Sequence, residues 1–482
     1  MSVYESKWLG KEYYRRNDGS SSRAIEPAAR SLGDVYGWTF ERVLRPAWER
    51  YVKKRPIMEH LEVLERTQWL SPEEIERFQV GELRTLLAHA QRSVPYYREL
   101  FGKIGFDARD VKRREDIAPI PVLTKDIIRE RYEDLIDPAH RGLNLKKGTS
   151  GSTGTPLKFE YSRGSYSWRE ATKIRGYRWG GYRIGGPTLH YWAQVQALAG
   201  KQGAKVRLDR RMNRDVVIDS MHNDEDAMYR AVDIFRAVRP ACLVVYTQSC
   251  AMWARFILDK GLRDWPDVPV LCGAEAVLPQ DRAVLARAFG DGIFESYGSR
   301  ETMLMASECC AHDGMHLSEE NLLLEITRSG EPIPAGESGD VVVTDLHNFG
   351  MPFIRYVNGD VGVMHESPRC SCGRGLRRLR RIEGRRADTL MDKEGKPIPG
   401  IIFHVLFSDA RREIVSQFQV VQKKTGEITL KYVRGQDWDE AAFMTIVNRF
   451  DGYLRGLPMQ VQECANIPAM ANGKRKTIIV EK

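Results

Sequence analysis

The residues DAMYRAVDIFRAVRPACLVVYTQSCAMWARFILDKG, at positions 226–261, decide the fold. Apolar residues recur at helical spacing up to Pro240, and the short apolar run ACLVVY follows. Helical spacing of apolar residues then resumes and continues to Gly261. The segments VPVLCGAE (268–275), QDRAVLARAFG (280–290) and IFESYG (293–298) repeat this pattern. Alternating strands and helices predict an α/β core with a largely parallel sheet.

The region before this core has a helical pattern. Residues 35–135 contain the long helical periods TFERVLRPAWERYVKKR and EEIERFQVGELRTLLAHAQRSV, which are ended by Pro95 and later by Pro119 and Pro121. Proline stops a helix because it lacks a backbone N–H and crowds the preceding turn. We therefore predict a helical opening region.

The pattern after residue 317 indicates antiparallel strands. LLLEI and DVVVTDL flank turns at Gly330 and Gly336, and FQVVQKKTGEITLKYV reads as a hairpin that turns at Thr425 and Gly426. A helix from about Asp439 to Leu454, capped by Asp437, and the strand PMQVQEC complete a small α+β domain. The polar segment EGRRADTLMDKEGKPIPG is the predicted linker. We expect a large domain at 1–384, with a β-rich subdomain at about 317–380, and a small mobile domain at 385–482.

Composition excludes several classes of protein. The chain has 482 residues, 42% of them hydrophobic, so it can bury a core and is neither disordered nor collagenous. Its opening residues contain no apolar core of a signal peptide, and no run approaches the roughly 18 apolar residues of a membrane span. Eight cysteines are too few for a disulfide scaffold. We expect a cytoplasmic protein without a membrane partner.

The net charge of +9 has two interpretations. Lys and Arg number 74 and are distributed among 65 acidic residues, so the charge fits anionic small ligands as well as it fits DNA. The arginine-rich run RGLRRLRRIEGRR favours a nucleic-acid-binding protein, whose binding would fall steeply with salt. An inactive scaffold protein is a further alternative.

The strongest local motif is the segment GTSGSTGTP, from Gly148 to Pro156, which follows LNLKK and precedes LKFEYS. Glycines allow backbone N–H groups to turn inward as a nest, and hydroxyls add donors, so the segment can hold phosphate oxygens. It is not a Walker A loop, because no Gly-Lys-Ser/Thr closes it and a strand follows. A flexible linker is the alternative.

This loop and five later motifs resemble the adenylate-forming superfamily of acyl-CoA synthetases, within it the phenylacetate-CoA ligase and CapK-like branch. The motifs occur in the family's order, and the similarity extends from about Ser93 to Lys474. The later motifs are CGAE (272–275), SYGSRE (296–301), IRYVNGD (354–360), RIEGRRAD (381–388) and NGK (472–474).

The resemblance implies an acid-thiol ligase that works in two steps. A carboxylate attacks the α-phosphate of ATP to give acyl-AMP and pyrophosphate, and a nucleophile, usually the thiol of CoA, then takes the acyl group. Retention of Glu301, Asp360 and Lys474 argues against a scaffold that has lost its chemistry. A carrier-protein thiol, an amine or another nucleophile remains an alternative acceptor.

The motifs carry the expected ATP and AMP site. The loop would hold the β- and γ-phosphates, Tyr297 would offer a flat face to adenine, and Glu301 would be a hard ligand for Mg²⁺. Outside the family, Tyr297 would more often be a core aromatic and Glu301 a solvated acid. The expected nucleotide-binding residues of these motifs are Thr149, Ser150, Gly151, Ser152, Thr153, Gly154, Thr155, Gly273, Ala274, Glu275, Ser296, Tyr297, Gly298, Ser299 and Arg300.

The remaining catalytic positions lie near and beyond the hinge. Asp360 would accept hydrogen bonds from both ribose hydroxyls, and Arg385 would contact ribose or phosphate. Relatives carry an acidic or polar hinge residue two positions after this arginine, whereas this chain has Ala387 there and Asp388 next. Lys474 matches the lysine that neutralises charge during adenylation, and Arg475 and Lys476 compete for the role.

Six cysteine and histidine residues are candidates for a structural zinc site. Two thiols in CSCGR and the thiols and imidazoles of ECCAHDGMH suit four-coordinate zinc, and similar positions occur in the phenylacetate-CoA ligase branch. We expect Cys309, His316, Cys370 and Cys372 as ligands, with Cys310 or His312 as alternatives. Free thiols are the other interpretation.

The acid pocket is expected between the loop and SYGSRE. Tyr191, Trp192 and Gln194, in TLHYWAQVQALAG, could line a pocket for an aromatic acid, or could be core residues of a strand and turn. The expected partners are therefore a small carboxylic acid, ATP and CoA.

Overall fold

A computed structural model describes residues 34–148, 157–192, 200–220, 225–385, 389–393, 397–399, 403, 414–436, 438–454, 456–468 and 477–481. The expected phosphate loop, Gln194, the hinge residues Ala387 and Asp388, the cap Asp437, and Lys474 with Arg475 and Lys476 lie outside the described residues.

The described chain opens with helices, as predicted. They are α1, which begins at Val35 and ends at Lys53, α2 (Ile57–Thr67), α3 (Pro72–Ser93), α4 (Pro95–Ile104) and α5 (Lys125–Glu130). Ser71 and Glu74 form a capping box at the start of α3, and the helix ends before Pro95, which opens α4 at a position where its missing N–H costs no hydrogen bond.

Helix α1 accommodates a proline in its interior. The turn Phe40–Leu44 is π-helical, and the N–H of Arg45 bonds to the carbonyl of Phe40, five residues earlier. Pro46 follows this wider turn. The extra residue in the turn relieves the crowding that a proline ring causes in an α-helix. Lys54, the residue directly after the helix, has a left-handed φ of 50°.

Two short strands flank the glycine-rich loop. Strands β1 (Leu145–Gly148) and β2 (Lys158–Tyr161) are antiparallel, and Gly148 pairs with Lys158. The prediction that a strand follows the loop is confirmed. The two ends of the loop are therefore fixed next to each other by this hairpin.

The parallel sheet and its helices follow the predicted alternation. The elements are α6 (Arg163–Trp179), β3 (Thr188–Trp192), α7 (Gly200–Asn213), β4 (Asp215–Asp219), α8 (Glu225–Val238), β5 (Cys242–Tyr246), α9 (Thr247–Asp259), β6 (Val270–Gly273), α10 (Pro279–Phe289) and β7 (Ile293–Ser299). Strand β3 pairs with β4 and β5, β5 pairs with β6, and β6 pairs with β7, all in parallel.

The predicted antiparallel strands follow. They are β8 (Met303–Glu308), β9 (Met315–Leu317), β10 (Leu322–Arg328), β11 (Glu331–Pro332), β12 (Ser338–Asp345), β13 (Tyr356–Met364) and β14 (Arg378–Arg385). The turn between β10 and β12 uses Gly330 and Gly336, both at a φ of 89°, which favours glycine.

The parallel and antiparallel strands form one sheet of twelve strands, in the order β11-β10-β12-β13-β14-β9-β8-β7-β6-β5-β3-β4. Strand β7 joins the two parts, because its first half pairs with β6 and its second half with β8. Strand β14 pairs with β9 only through Arg378 and Leu379, at the end opposite Arg385. The β-rich region is thus continuous with the core sheet.

A smaller sheet lies in the C-terminal region. The short strands β15 (Thr389–Met391) and β16 (Pro397–Pro399) pair within the predicted linker. The predicted hairpin is β17 (Val415–Gln422) and β18 (Ile428–Arg434); it is followed by α11 (Glu440–Leu454), β19 (Met459–Glu463) and β20 (Ile478–Val480). The N–H of Ala442 bonds to the Asp439 carboxylate at the start of α11.

Each part of the fold has its own buried cluster. The opening helices pack around Leu83, Leu87 and Phe353, and the parallel sheet packs its helices around Trp253 and Phe289. The C-terminal sheet and α11 share a separate cluster that includes Phe443, Phe450 and Leu430. None of the helices in the described ranges is long and apolar enough to cross a membrane.

Candidate active site

The carboxyl ends of the parallel strands bring the predicted motifs together. Trp192 ends β3, Tyr246 ends β5, Gly273 ends β6 and Ser296 lies in β7. The Ser296 hydroxyl donates to the Cys272 carbonyl at 2.8 Å. Open α/β sheets bind ligands at this edge, because the loops that follow the strands converge there.

The loop after β6 is held in an unusual backbone conformation. Ala274 has a φ of 67°, which is left-handed and uncommon for a residue other than glycine. The Glu275 carboxylate accepts a hydrogen bond from the Gln248 N–H at the start of α9, and the Thr247 hydroxyl donates to the Glu275 carbonyl. These bonds fix Gly273, Ala274 and Glu275 beside Ser296.

A tyrosine, an asparagine and an aspartate form one hydrogen-bonded network. The Tyr297 hydroxyl donates to Asp360 Oδ2 at 2.7 Å. Asn358 Nδ2 donates to the Tyr297 hydroxyl oxygen at 2.7 Å and to Asp360 Oδ2 at 3.0 Å. The Asp360 N–H in turn bonds to Asn358 Oδ1. The network orients the Asp360 carboxylate and occupies its Oδ2 atom.

Tyr297 lies largely in the core. Its side chain packs with Met305 and Leu317, and 8% of the residue is exposed. The ring therefore shows little of its face, and its hydroxyl is its main polar contribution to the site. Burial, reinforced by the Asp360 charge, holds the pKa of Tyr297 well above its usual value, so the hydroxyl stays a donor.

Arg385 faces Asp360 from the next strand. The two residues are paired in the register of β13 and β14, and Arg385 Nε lies 3.7 Å from Asp360 Oδ1. Burial raises the pKa of Asp360, while the Tyr297 bond and the charges of Arg385 and Lys125 lower it. Three groups thus favour an ionised carboxylate in a site that otherwise disfavours it.

Lys125 is a site residue that the sequence did not suggest. It begins α5, and its Nζ donates to the Asn358 carbonyl at 2.8 Å. Burial lowers its pKa, and the nearby carboxylates of Glu301 and Asp360 oppose this change. Leu123, two residues earlier, pairs with Tyr356, so the segment is fixed to β13. No local motif marks this lysine.

Glu301 lies beside this network, on the segment that also contacts Gly148. It is 5% exposed, and the Tyr356 hydroxyl donates to its Oε1 at 3.0 Å. Its neighbour Arg300 donates to the Gly148 carbonyl at 2.9 Å. The SYGSRE segment therefore touches the residue at which the phosphate loop begins. A carboxylate with one oxygen directed by a tyrosine is chemically suited to Mg²⁺.

The two aromatic residues at the end of β3 face opposite ways. Tyr191 is 1% exposed and stacks on Trp253 in the core, which is the alternative that the sequence left open. Trp192 stacks on Tyr246 with ring centroids 4.0 Å apart, and a Cβ added at Gly273 would lie 3.4 Å from the Trp192 ring. Trp192 and Tyr246 therefore border the site, whereas Tyr191 does not.

Four of the six candidate metal ligands converge. The ligand atoms of Cys309, His316, Cys370 and Cys372 lie within 4.8 Å of one another, whereas Cys310 is exposed. The sulfurs of Cys309 and Cys370 are 3.8 Å apart, and His316 Nε2 lies 3.2 Å from the Cys372 sulfur. Two sulfurs on a tetrahedral zinc, each bound at about 2.3 Å, would lie about 3.8 Å apart.

The surroundings of this cluster also suit a metal. His316 Nδ1 donates to the Leu376 carbonyl, which directs Nε2 toward the three sulfurs. Contacts with Cys309 and His316 lower the pKa of the Cys372 thiol and favour the thiolate that a metal requires. His312 lies elsewhere, with Nδ1 3.1 Å from Glu308.

The sequence is similar to curated phenylacetate-CoA ligases, although no protein-family model matches it. A phenylacetate-CoA ligase of Thermus thermophilus is 26% identical over 367 residues, which are 74% of this chain and 80% of that protein. The Escherichia coli ligase is 24% identical over 340 residues, which are 68% of this chain and 75% of that protein.

Solved structures show the same fold. The crystal structure of a 2-hydroxyisobutyryl-CoA ligase in the postadenylation state, bound to 2-hydroxyisobutyryl-AMP (2-HIB-AMP), superposes with a TM-score of 0.69 at 20% identity and covers 87% of this chain and 92% of that one. Its complex with 2-HIB-AMP and CoA in the thioesterification state scores 0.55, with 86% and 92% covered. The predicted resemblance is confirmed: this chain has the adenylate-forming fold and a sequence similar to phenylacetate-CoA ligases.

Proposed function

We propose that the protein joins a carboxylic acid to CoA at the expense of ATP. In the first step a carboxylate oxygen bonds to the α-phosphorus, and the bond to pyrophosphate breaks. In the second step the CoA sulfur, having lost its proton, bonds to the acyl carbon, and AMP leaves with the electron pair. The similarity to named phenylacetate-CoA ligases supports this reaction.

The observation that carries the proposal is the orientation of Asp360. Tyr297 and Asn358 hold its Oδ2 atom, and Arg385 lies on the side of Oδ1. A fixed carboxylate at the carboxyl edge of the parallel strands can accept from a vicinal diol, which is what the ribose of ATP presents. The site is thereby suited to a nucleotide rather than to a generic anion.

The phosphate end of the nucleotide would lie toward Gly148. Arg300 ties SYGSRE to that residue, and residues 149–155 would then wrap the β- and γ-phosphates. We propose that Glu301 holds Mg²⁺, which would offset the phosphate charge when bound. Lys474 would supply the ammonium group that stabilises charge during adenylation.

The substrate acid is proposed to be aromatic. Trp192 and Tyr246 stack at the ends of β3 and β5, and the Trp192 ring packs closely against Gly273, where a Cβ would lie only 3.4 Å from it. Flat rings favour a flat ligand, because aromatic pairs gain from offset stacking. The separate core of residues beyond 385 supports a small domain that rotates between the two steps.

An acid panel scored by pyrophosphate release tests this proposal. Aryl and arylacetic acids should release pyrophosphate with ATP and Mg²⁺, and adding CoA should convert the acyl-AMP to a thioester detectable by mass spectrometry. Turnover only with a carrier protein or an amine would support the alternative acceptors. No pyrophosphate release with any acid would overturn the proposal.

The arginine-rich run supports nucleic-acid binding less than its sequence indicates. Arg378 is 2% exposed and pairs with Asp313, and Arg377 pairs with Glu319. Arg380 and Arg381 pair with Glu366 and Glu383, and Arg374 lies over two tryptophan rings. Four arginines of the described part of the run are therefore already paired with carboxylates of the fold.

Structural zinc at the cysteine and histidine cluster is proposed as a closed site without a catalytic role.

A further inference from the structure

Exposed apolar side chains are concentrated on one part of the surface. Seventeen large apolar residues of the described chain are exposed, and nine of them lie within residues 35–52 and 206–208. Trp38 is 64% exposed and Tyr51 is 71% exposed. Protein surfaces in contact with water normally scatter such residues singly. The nine residues, named here the α1/α7 face, are Val35, Tyr36, Trp38, Val43, Leu44, Tyr51, Val52, Val206 and Leu208.

Helices α1 and α7 adjoin each other, so their exposed apolar residues belong to one region of the surface. The Tyr36 hydroxyl donates to the Met212 carbonyl at 2.7 Å, and Lys53 Nζ lies 2.7 Å from Asp209 Oδ1. An open cavity of about 410 Å³ lies between the two helices, lined by Tyr36, Met212 and Leu208 among others. The two segments therefore present one surface.

The exposed charges on these helices are all basic. The acidic residues of segments 34–54 and 203–214 are neutralised by partners: Asp34 by Arg214, Glu41 by Arg178, Glu49 by Arg45 and Arg55, and Asp209 by Lys53. The exposed charged residues of the same segments are Arg42, Arg50, Lys54, Lys205, Arg207, Arg210 and Arg211. The face thus combines apolar and positively charged groups.

We propose that the α1/α7 face docks on the surface of a lipid bilayer that contains anionic lipids. Tryptophan and tyrosine favour the interface between water and acyl chains, and lysine and arginine are attracted to anionic headgroups. This docking needs no spanning helix. It departs from the sequence-based expectation of no membrane partner, which rested only on the lack of an apolar span.

Charge and composition argue against two other occupants. A second copy related by two-fold symmetry would place this basic face against itself, and like charges that meet across an interface repel. A nucleic acid would pair with the arginines but would leave aliphatic residues such as Val43 and Leu44 against a polar backbone. An anionic bilayer is complementary to both kinds of group.

Vesicle sedimentation of the full-length protein tests the proposal. The protein should sediment with phosphatidylcholine vesicles that contain about one third phosphatidylglycerol, less with phosphatidylcholine alone, and less at high salt. Replacing Arg207 and Arg211 with serine should weaken the partition about 30-fold, since each basic residue contributes about fivefold. Trp38→Ser with Tyr51→Ser should weaken it roughly tenfold.

The matched control is Ile104→Ser with Tyr229→Ser, two exposed apolar residues outside the face. It should bind vesicles as the parent does, and all variants should keep the parent's unfolding temperature. Absence of sedimentation at low salt would overturn the proposal, as would equal loss in the control. A dimer in light scattering that Trp38→Ser with Tyr51→Ser converts to monomer, without vesicle binding, would identify a second copy as the occupant instead.

Discussion

Tyr297 and Asp360 are joined by a hydrogen bond of 2.7 Å although three strands, β14, β9 and β8, lie between their own strands in the sheet. Strand β14 is paired with β9 only at its Arg378 end, and Arg385 is at the other end. The sheet is therefore connected at one end of β14 and bridged by side chains near the other. That bridged end is where we place the ribose.

Asp360→Asn should lower kcat/KM for ATP by roughly 10- to 100-fold, because charge-assisted hydrogen bonds contribute about 1.5–3 kcal/mol each. Pyrophosphate release at varied ATP measures this loss. Tyr297→Phe is the matched control, since it removes the hydroxyl that orients Asp360 but keeps the carboxylate. Its effect should be smaller. An Asp360→Asn enzyme with the parent's KM for ATP would contradict the assigned role.

The KM for ATP should depend on pH through Asp360. Burial raises the pKa of this carboxyl above its ordinary value, although Tyr297, Arg385 and Lys125 oppose the change. A raised pKa means that the carboxyl takes up a proton at a higher pH than a solvated aspartate does. The protonated group loses part of its capacity to accept from the ribose diol, so KM should rise as pH falls.

The pH profile of Asp360→Asn supplies the control for this effect. An amide does not titrate, so the variant should have a high KM at every pH. It should lack the rise in KM at low pH, here called the acidic limb, that the parent shows. Retention of the same limb in Asp360→Asn would assign it to another group.

Lys125→Met should move that acidic limb to higher pH. The substitution removes a cation that lowers the pKa of Asp360, and it also removes the 2.8 Å bond to the Asn358 carbonyl. Lys125→Arg keeps the charge and should keep the limb near its original position. Lys112→Met, on an exposed lysine, is the neutral control. A purely structural Lys125 would lower stability in the Met variant and leave the pH profile where it was.

The secondary structure could be predicted because its signals are local. The alternation of helical period and apolar run in residues 226–298 gives β5, α9, β6, α10 and β7 directly, and the β17 hairpin follows from Thr425 and Gly426. Such patterns depend on neighbours within one element. The continuity of the twelve-stranded sheet depends on which strands pair at long range, and sequence pattern does not encode that pairing.

The site was only partly predictable, and for the same reason. Lys125 and Asn358 are 233 residues apart, so no spacing rule brings them together. Tyr191 and Trp192 point to opposite faces of β3. A parallel strand that is covered on both faces is apolar on both, so the sequence shows no alternation of apolar and polar residues that could tell which of the two faces the site. For the metal cluster, the sequence already named the four residues that converge, but it left Cys310 and His312 open as alternatives until β8, β9 and the loop before β14 were placed together.

Metal content should follow the four converging ligands. The purified protein should contain about one equivalent of zinc, and Cys372→Ser should lose it and unfold several degrees lower, because a structural metal stabilises the fold that forms its site. Cys310→Ser is the matched control, since Cys310 is exposed and adjacent to a ligand. Elemental analysis with thermal unfolding measures both. Equal zinc loss in both variants, or no metal in the parent, would contradict the ligand set.

Lys474→Ala should separate the two half-reactions. An ammonium group between the carboxylate and the α-phosphate stabilises the charge that develops during adenylation, an effect of a few kcal/mol when preorganised, which corresponds to roughly 100-fold in rate. The variant should therefore form acyl-AMP far more slowly and yet transfer the acyl group of supplied acyl-AMP to CoA at nearly the parent's rate. Single-turnover assays of each step measure the ratio, and Lys476→Ala and Arg475→Ala show whether a neighbouring cation performs the role. Equal slowing of both steps by Lys474→Ala would mean that this lysine supports the closed site in general and takes no specific part in adenylation.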